Sequence, residues 1–237
     1  MNEVIGVIPA AGKGSRLNEL GQEVPKSLLK LNGKPLIQRA IENLIKLGVK
    51  KIIIIVNYKK ELIQNFLKDH KFDAELIFVE QTELNGNVGG LILSEKYLIN
   101  TFIQYHPDNI FTDSQEEILK KHLNDKPIAT YLYEERESAP NSKLSFLVED
   151  NRLLGMSKSN KGLKSPVGFS IHEPIFLDYC KLIKKSDSGE YLSKDVISLI
   201  LSSGGKINAY KLNGQRIDIT TKEDYYNALN QLDGEPL

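Results

Sequence analysis

The chain has 237 residues, of which 41% are hydrophobic and 26% charged, so it can bury the core of one large α/β domain. Its 31 basic residues equal its 31 acidic residues, and this zero net charge disfavours broad binding to nucleic acid. The single cysteine, Cys180, excludes an intramolecular disulfide, and the residue pattern leads us to expect neither a secretion signal nor a membrane-spanning run. We therefore expect a cytoplasmic protein without membrane partners, and homo-oligomerisation is left open.

Strand and helix patterns alternate in the first half of the chain. The segments, in order, are a strand at 4–9, a helix that opens at Pro35 and ends at Gly48, a strand at 51–56, a helix around 62–67 and a strand at 74–79. The β-branched run at 51–56 has no alternation, which is typical of a strand buried on both faces. This order predicts right-handed crossovers and a mostly parallel sheet covered by helices.

The pattern changes after about residue 124. Short strands are predicted at 128–133, 144–149, 152–157 and 167–171, with a turn at 149–151, and then a helix at 191–201, a strand at 206–212 and a helix at 222–232. The sequence contains no repeat and no linker rich in Pro, Gly or Ser. We predict a single Rossmann-like domain over 1–237, with a mixed, mostly parallel sheet flanked by helices and a small β appendage.

The most informative segment is the loop that follows the first predicted strand. Its small residues would let backbone amides approach a phosphate closely, and they are Ala10, Ala11, Gly12 and Gly14. Lys13, Arg16 and Lys26 add cationic donors near this loop. In an open parallel sheet the loop after the first strand is a common phosphate site, so we predict that these residues bind one.

Two other phosphate-binding loops are excluded by the residues at their fixed positions. A Walker loop would need glycine where Val7 stands, and Gly-Lys followed by Ser or Thr rather than by Gly14. The dinucleotide fingerprint would need a third glycine at Leu17.

Three motifs at short spacing resemble the sugar-1-phosphate nucleotidyltransferases, in particular those of the glucose-1-phosphate thymidylyltransferase type. They are Gly12-Lys-Gly-Ser-Arg-Leu17, Pro25-Lys-Ser-Leu-Leu29 and Gly33-Lys-Pro-Leu36. The resemblance implies that Arg16 binds the departing pyrophosphate end and Lys26 the reacting phosphate. Downstream, residues 80–86 resemble the family's base-binding loop. Gln81 would contact the nucleobase and Gly86 would pass close to the nucleoside.

Carboxylates near the ends of core strands would hold the divalent ion that nucleotidyl transfer requires, and Mg²⁺ prefers such ligands. Asp108 follows an apolar segment and resembles the family's Gly-Asp-Asn metal site, with Pro107 in place of glycine. Asp218 resembles the acidic ligand of the family's closing Trp-x-Asp motif, with Arg216 in place of tryptophan. Thr221 and Asp224 are expected to form a capping box at the last helix. Asp113 is a weaker rival of Asp108.

The acceptor-binding residues resemble the family less closely. Lys158 would pair with the acceptor phosphate and Gly168 would let a sugar lie against the backbone, although Ser157 replaces the family's Glu. The Tyr-Gly-Val segment expected before them is absent. By this resemblance, about 1–124 would bind the nucleotide and about 125–237 the acceptor.

The resemblance implies Mg²⁺-dependent transfer from a nucleoside triphosphate to a sugar 1-phosphate, with Arg16, Lys26 and Lys158 offsetting charge. The attacking phosphate is already ionised, so no histidine is assigned a catalytic role. One alternative is a cytidylyltransferase acting on phosphocholine or another non-sugar phosphate. Another alternative is a catalytically silent regulator that binds nucleotide. The departures from the family motifs are the reason to consider it.

Overall fold

The computed structural model describes residues 3–17 and 24–232. The α-helices are α1 (Leu36–Lys46), α2 (Lys60–Lys68), α3 (Gly86–Leu93), α4 (Glu116–Asp125), α5 (Phe176–Leu182), α6 (Ser193–Ser202) and α7 (Lys222–Leu232). The strands are β1 (Ile5–Pro9), β2 (Lys30–Leu31), β3 (Lys34–Pro35), β4 (Lys51–Val56), β5 (Glu75–Glu80), β6 (Phe102–Tyr105), β7 (Asn109–Phe111), β8 (Ala129–Glu149), β9 (Arg152–His172), β10 (Ile207–Lys211) and β11 (Arg216–Asp218). In these two stretches, no helix has the length and apolarity that a membrane span needs.

Seven of the described strands belong to a mixed sheet. β1, β4 and β5 pair in parallel, so that Ile8 lies opposite Ile54 and Ile54 opposite Phe78. β4 is buried at every position after Lys51, as its unbroken β-branched run predicts. Because these strands are parallel, their carboxyl ends share one edge of the sheet. The Rossmann-like α/β fold class is confirmed.

Contacts divide the chain into two compact units that interleave along the sequence. Unit 1 comprises residues 85–104 and 115–213, and unit 2 comprises residues 3–84, 105–114 and 214 onward. Unit 2 contains the parallel strands β1, β4 and β5 together with the two-stranded pairs β2–β3 and β7–β11. Unit 1 contains β8, β9 and β10, in which β10 runs parallel to β8.

Helix α1 shows how the apolar pattern and its boundary residues determine an element. Its buried residues recur at helical spacing, and they are Leu36, Ile37, Ala40, Ile41 and Leu44. Gly48 has φ +85° and donates to Ile45 O, which is the left-handed end that the sequence predicts. The predicted opening at Pro35 is wrong by one residue, because Pro35 has an extended ψ of 146° and belongs to β3.

Strands β8 and β9 replace the four short strands that the sequence predicts. They form one long antiparallel hairpin, so residues 134–143 and 158–166 are strand rather than connection. These stretches are mostly polar, and antiparallel pairing can satisfy the backbone without an apolar pattern. The predicted turn is confirmed, because Asp150 and Asn151 both have positive φ, as a type I′ turn requires.

Helices α4 and α5 are missing from the sequence-based prediction. Helix α4 buries Ile118, Leu119 and His122, and it carries Glu–Lys pairs at i,i+4 that favour an exposed helix face. Helix α5 is only seven residues long and buries Phe176, Leu177 and Cys180. The apolar spacing and the Glu–Lys pairs of α4 could have predicted this helix from the sequence. Helix α5 is too short for its apolar periodicity to distinguish a helix from a strand.

Candidate functional site

The glycine-rich turn follows β1 at the carboxyl edge of the parallel strands. The Ala10 amide donates to Ile55 O at 2.8 Å, which extends the β1–β4 ladder into the turn. Ala10 and Ala11 are buried, and beyond them Gly12 is exposed, with open space where a side chain would stand. Gly14 has φ +64°, and a Cβ there would lie 3.1 Å from the Lys26 Cβ. The turn is therefore held closely against the segment that carries Lys26.

Lys26 and Asp108 form an ion pair. Lys26 begins the short 3-10 helix Lys26–Leu28, and its Nζ lies 2.5 Å from Asp108 Oδ2. Burial alone would raise the pKa of Asp108, but the charges of Lys26 and His106 and hydrogen bonds from Lys26 and Asn109 hold that pKa below its usual value. Asp108 is therefore an anion at neutral pH, fixed beside a lysine.

The two predicted metal ligands come together on neighbouring strands of unit 2. β7 and β11 pair antiparallel, and Asp218 lies opposite Asn109. Asn109 is the residue that follows Asp108 in the chain. The amide of Ile219 also donates to Asp108 O at 2.9 Å. Two backbone segments that are far apart in sequence are thus fixed in register at the positions of both aspartates.

A network of side chains joins the two carboxylates. Asn109 Nδ2 donates to Asp108 Oδ1 at 2.8 Å, and Arg216 Nη1 donates to Asn109 Oδ1 at 2.6 Å. The same Nη1 lies 3.2 Å from Asp218 Oδ2, while the Thr220 hydroxyl donates to Asp218 Oδ1 at 3.1 Å. Asn109, Arg216 and Thr220 are functional candidates that the sequence analysis did not assign. For Arg216 the sequence contains one signal, because an arginine stands where the family motif has tryptophan. The contacts of Arg216 could not be read from the sequence, because they depend on the β7–β11 register.

His106 lies within electrostatic range of both carboxylates. Burial lowers the pKa of His106, Asp108 and Asp218 act to raise that pKa, and Lys26 acts to lower it further. The net lowering keeps the ring neutral at neutral pH.

Gln81 lies at the same edge of the sheet as the glycine-rich turn. Its amide extends the β4–β5 ladder by donating to Val56 O, and the residue is 4% exposed. Asn57 follows β4, and its Nδ2 donates to Gln81 O at 2.5 Å and to Thr82 O at 3.4 Å. Asn57 therefore fixes the backbone of the loop that the sequence analysis assigned to the nucleobase.

Three of the remaining predicted residues, Gly86, Lys158 and Gly168, belong to unit 1. Gly86 begins α3 with φ +85°, and a Cβ there would lie 2.8 Å from the backbone oxygen of Tyr191. Lys158 is exposed on β9 opposite Leu144, and Gly168 is half-buried farther along that strand. Arg16 lies in unit 2, exposed on the short 3-10 helix Ser15–Leu17 after the glycine turn.

The carboxylate pair has the donor set that magnesium takes from proteins. Among the residues that the structure describes, no cluster of three or more His, Cys, Asp or Glu side chains could enclose a metal ion. Magnesium needs no such cluster, because it is commonly bound through one or two carboxylates together with substrate phosphates and water. Asp108 and Asp218 offer hard oxygen ligands at adjacent backbone positions, so the residues present fit this ion.

The parallel strands and the loops at their carboxyl edge place the chain among Rossmann-like α/β proteins. A model of the nucleotidyl transferase family matches residues 5–144, more than half of the chain. The chain therefore belongs to the nucleotidyl transferase family, and the enzyme class predicted from its motifs is confirmed.

A similar protein supports this assignment, and two solved structures share the fold. Over 234 residues the chain is 30% identical to the UTP–glucose-1-phosphate uridylyltransferase AglF of Haloferax volcanii, covering 97% of this chain and 96% of AglF. A candidate glucose-1-phosphate thymidylyltransferase from Bacillus anthracis, solved with sucrose, superposes with a TM-score of 0.87 at 20% identity, covering 99% of this chain and 97% of that one. A UDP-glucose pyrophosphorylase complexed with UDP-glucose gives 0.86 at 18% identity, covering 99% and 100%. The two structures show a shared fold.

Proposed function

We propose that this protein transfers a nucleotidyl group from a nucleoside triphosphate to a sugar 1-phosphate, releasing pyrophosphate and a nucleotide sugar. UTP and glucose 1-phosphate are the first pair to test, because AglF resembles this chain over nearly its whole length. The observation that carries the proposal is the register of β7 and β11, which brings Asp108 beside Asp218. A cytoplasmic location is part of the proposal.

The protein's main task in this reaction is to position two anions and offset their charge. Lys26 stands beside Asp108 and would contact the reacting phosphate, while Arg16 would bind the departing pyrophosphate. Lys158 is exposed on β9 and would pair with the acceptor phosphate. The attacking phosphate oxygen is already ionised, so no side chain has to remove a proton from it.

Asp108 and Asp218 would hold Mg²⁺ through their carboxylate oxygens. When bound, this ion supplies Lewis-acid stabilisation of the phosphate charge that develops during transfer. The Asn109 amide and the Thr220 hydroxyl each occupy one carboxylate oxygen and so fix the orientation of both side chains.

The nucleotide would lie along the carboxyl edge of the sheet, bound by residues from about 1–124. The triphosphate would contact the small residues Ala10, Ala11, Gly12 and Gly14, while Gln81 and Gly86 would contact the nucleobase and the nucleoside. Exposed Gly12 gives a phosphate open access to the backbone, and Asn57 steadies Gln81. Gly168 would contact the acceptor sugar, in the segment of about 125–237.

The test is pyrophosphate release in the presence of Mg²⁺, over a grid of UTP, dTTP, CTP and GTP against sugar 1-phosphates and phosphocholine. We expect turnover with at least one sugar 1-phosphate, and a loss on the order of a hundredfold or more in Asp108→Asn and Asp218→Asn. Asp113→Asn is the matched control, because Asp113 lies on the same segment outside the pair. Release with phosphocholine alone, or no release with any pair, would contradict the proposal.

A further inference from the structure

Arg216 is a nearly buried cation in contact with one of the two carboxylates. Its side chain is 6% exposed, and the guanidinium lies 3.2 Å from Asp218 Oδ2 and 2.6 Å from Asn109 Oδ1. It stands where the family motif described above has tryptophan, so the shared motif does not explain its presence. Its contacts therefore call for an explanation of their own.

A second cation neutralises the other carboxylate. Lys26 contacts Asp108, and the side chains of this pair are 19% and 25% exposed. Arg216 and Lys26 therefore carry two positive charges against the two negative charges of Asp218 and Asp108. All four side chains are at least partly buried, so their charges are screened less than those of fully exposed side chains, and their sum affects how well any further cation binds.

We infer that Arg216 cancels the charge of Asp218, so that the carboxylate pair binds a divalent cation weakly until a triphosphate adds negative charge. The inference rests on the proposed function, which assigns the metal to Asp108 and Asp218. Metal and nucleotide then bind with positive coupling, because each improves the electrostatic environment of the other. A cation without nucleotide would occupy the site only at high concentration.

Loss of Arg216 would change the charge of the site more than its geometry. Asp218 Oδ1 keeps its hydrogen bond from Thr220, and Asp108 Oδ1 keeps its hydrogen bond from Asn109. The β7–β11 pairing and the bond from Ile219 N to Asp108 O still hold the two backbones in register. Removing the guanidinium therefore leaves a positioned carboxylate with an uncompensated negative charge, which favours cation binding.

The experiment measures binding of Mn²⁺ by electron paramagnetic resonance of the free ion, with and without a non-hydrolysable UTP analogue. We expect the wild-type protein to bind Mn²⁺ weakly alone and far more tightly with the analogue. Arg216→Met should bind Mn²⁺ without nucleotide at least about tenfold more tightly than wild type. Arg216→Lys keeps the charge and should remain within about threefold of wild type. Arg136→Met removes an exposed arginine of unit 1 and is the matched control.

Thermal unfolding gives a second readout that does not depend on turnover. Without a divalent ion, Arg216→Met should melt at a lower temperature than wild type, because a partly buried carboxylate has lost its partner. Mn²⁺ should raise the melting temperature of this variant more than that of wild type. If Arg216→Met does not fold, Arg216→Gln removes the same charge and can still hydrogen-bond to Asn109.

The outcomes separate this inference from the proposed function. If a neutral variant at Arg216 binds Mn²⁺ no more tightly than wild type while wild type binds Mn²⁺ with nucleotide and releases pyrophosphate, only the inference is overturned. If wild type neither binds Mn²⁺ with any nucleotide nor releases pyrophosphate, the proposed function fails first.

Discussion

At the scale of single residues, the proposed chemistry depends on a lysine and a carboxylate in direct contact. Lys26 Nζ lies 2.5 Å from Asp108 Oδ2, and the glycine-rich turn packs against the Lys26 side chain near Gly14. The lysine is therefore held between the turn proposed for the triphosphate and one proposed metal ligand. A cation in this place can stabilise the charge that develops on a transferred phosphate.

Replacing Lys26 with methionine should lower kcat on the order of a hundredfold, because the positive charge is lost while the aliphatic stem is kept. The measurement is steady-state pyrophosphate release at saturating Mg²⁺. Lys30→Met is the matched control, since Lys30 is exposed on nearby β2, and it should stay within about threefold of wild type. A Lys26→Met enzyme with wild-type kcat would remove Lys26 from the proposed machinery.

The sequence motifs predicted Asp108, Asp218 and Lys26 as candidates, and the structure places them together in unit 2. They did not predict the roles of Asn109 and Arg216. From the sequence alone, Arg216 would be expected to be an ordinary exposed arginine. Its burial and its contact with Asn109 follow from strand pairing between distant segments, which no local pattern encodes.

At the scale of secondary-structure elements, the start of α3 depends on a backbone conformation that only glycine adopts easily. Gly86 has φ +85°, and the backbone oxygen of Tyr191 would lie 2.8 Å from an added Cβ. The Tyr191 amide also donates to Asn85 O at 2.8 Å, which ties the two segments together. A side chain at Gly86 would meet backbone atoms that have little freedom to move.

Gly86→Ala should lower the free energy of unfolding by about 2–4 kcal/mol, since the clash adds to the cost of a positive φ. Gly204→Ala is the matched control, because Gly204 has φ +76° but an added Cβ would have nothing within 4 Å, and it should lose only about 1–2 kcal/mol. Urea unfolding of both variants is the measurement. Equal losses in the two variants would show that the Tyr191 oxygen does not constrain Gly86.

Elements with strong local signals were predicted well, and polar strands were not. Helix α7 matches the predicted range, and its capping box is confirmed by bonds from Thr221 N to Asp224 Oδ2 and from Asp224 N to Thr221 Oγ1. The long polar parts of β8 and β9 carry little apolar alternation, so the sequence predicted connections there. Pairing with the partner strand, rather than side-chain burial, determines their conformation.

At the scale of the whole molecule, stability should depend on pH through a histidine buried in unit 1. His172 packs against the rings of Phe102, Tyr131 and Phe176, and its Nε2 shares a hydrogen bond with Ser170 Oγ at 2.8 Å. Burial, assisted by the nearby His122, lowers the pKa of His172 well below its ordinary value. The folded protein therefore holds this ring neutral.

The free energy of unfolding should fall as the pH drops below about 6.5, where the unfolded chain protonates His172 and the folded chain does not. The slope from this residue is at most about 1.4 kcal/mol per pH unit. Burial also lowers the pKa of His122, against the opposing charge of Glu173, so His122 adds in the same direction. Urea unfolding between pH 7.5 and 5.5 measures the slope.

His172→Phe should flatten this pH dependence, because the folded and unfolded chains then differ less in bound protons. His70→Gln is the control, since His70 is exposed in unit 2, and it should leave the slope unchanged. A His172→Phe protein that loses stability on acidification as steeply as wild type would contradict the assignment to this residue.

The central claim is that Asp108 and Asp218 act together on one divalent ion. The most direct measurement is a double-mutant cycle on kcat/KM for pyrophosphate release, using Asp108→Asn, Asp218→Asn and the double variant. Side chains that serve a single function should be strongly non-additive, so we expect the double variant to be about as slow as the slower single variant. Losses that multiply in the double variant, or a single variant with wild-type activity, would contradict a shared site.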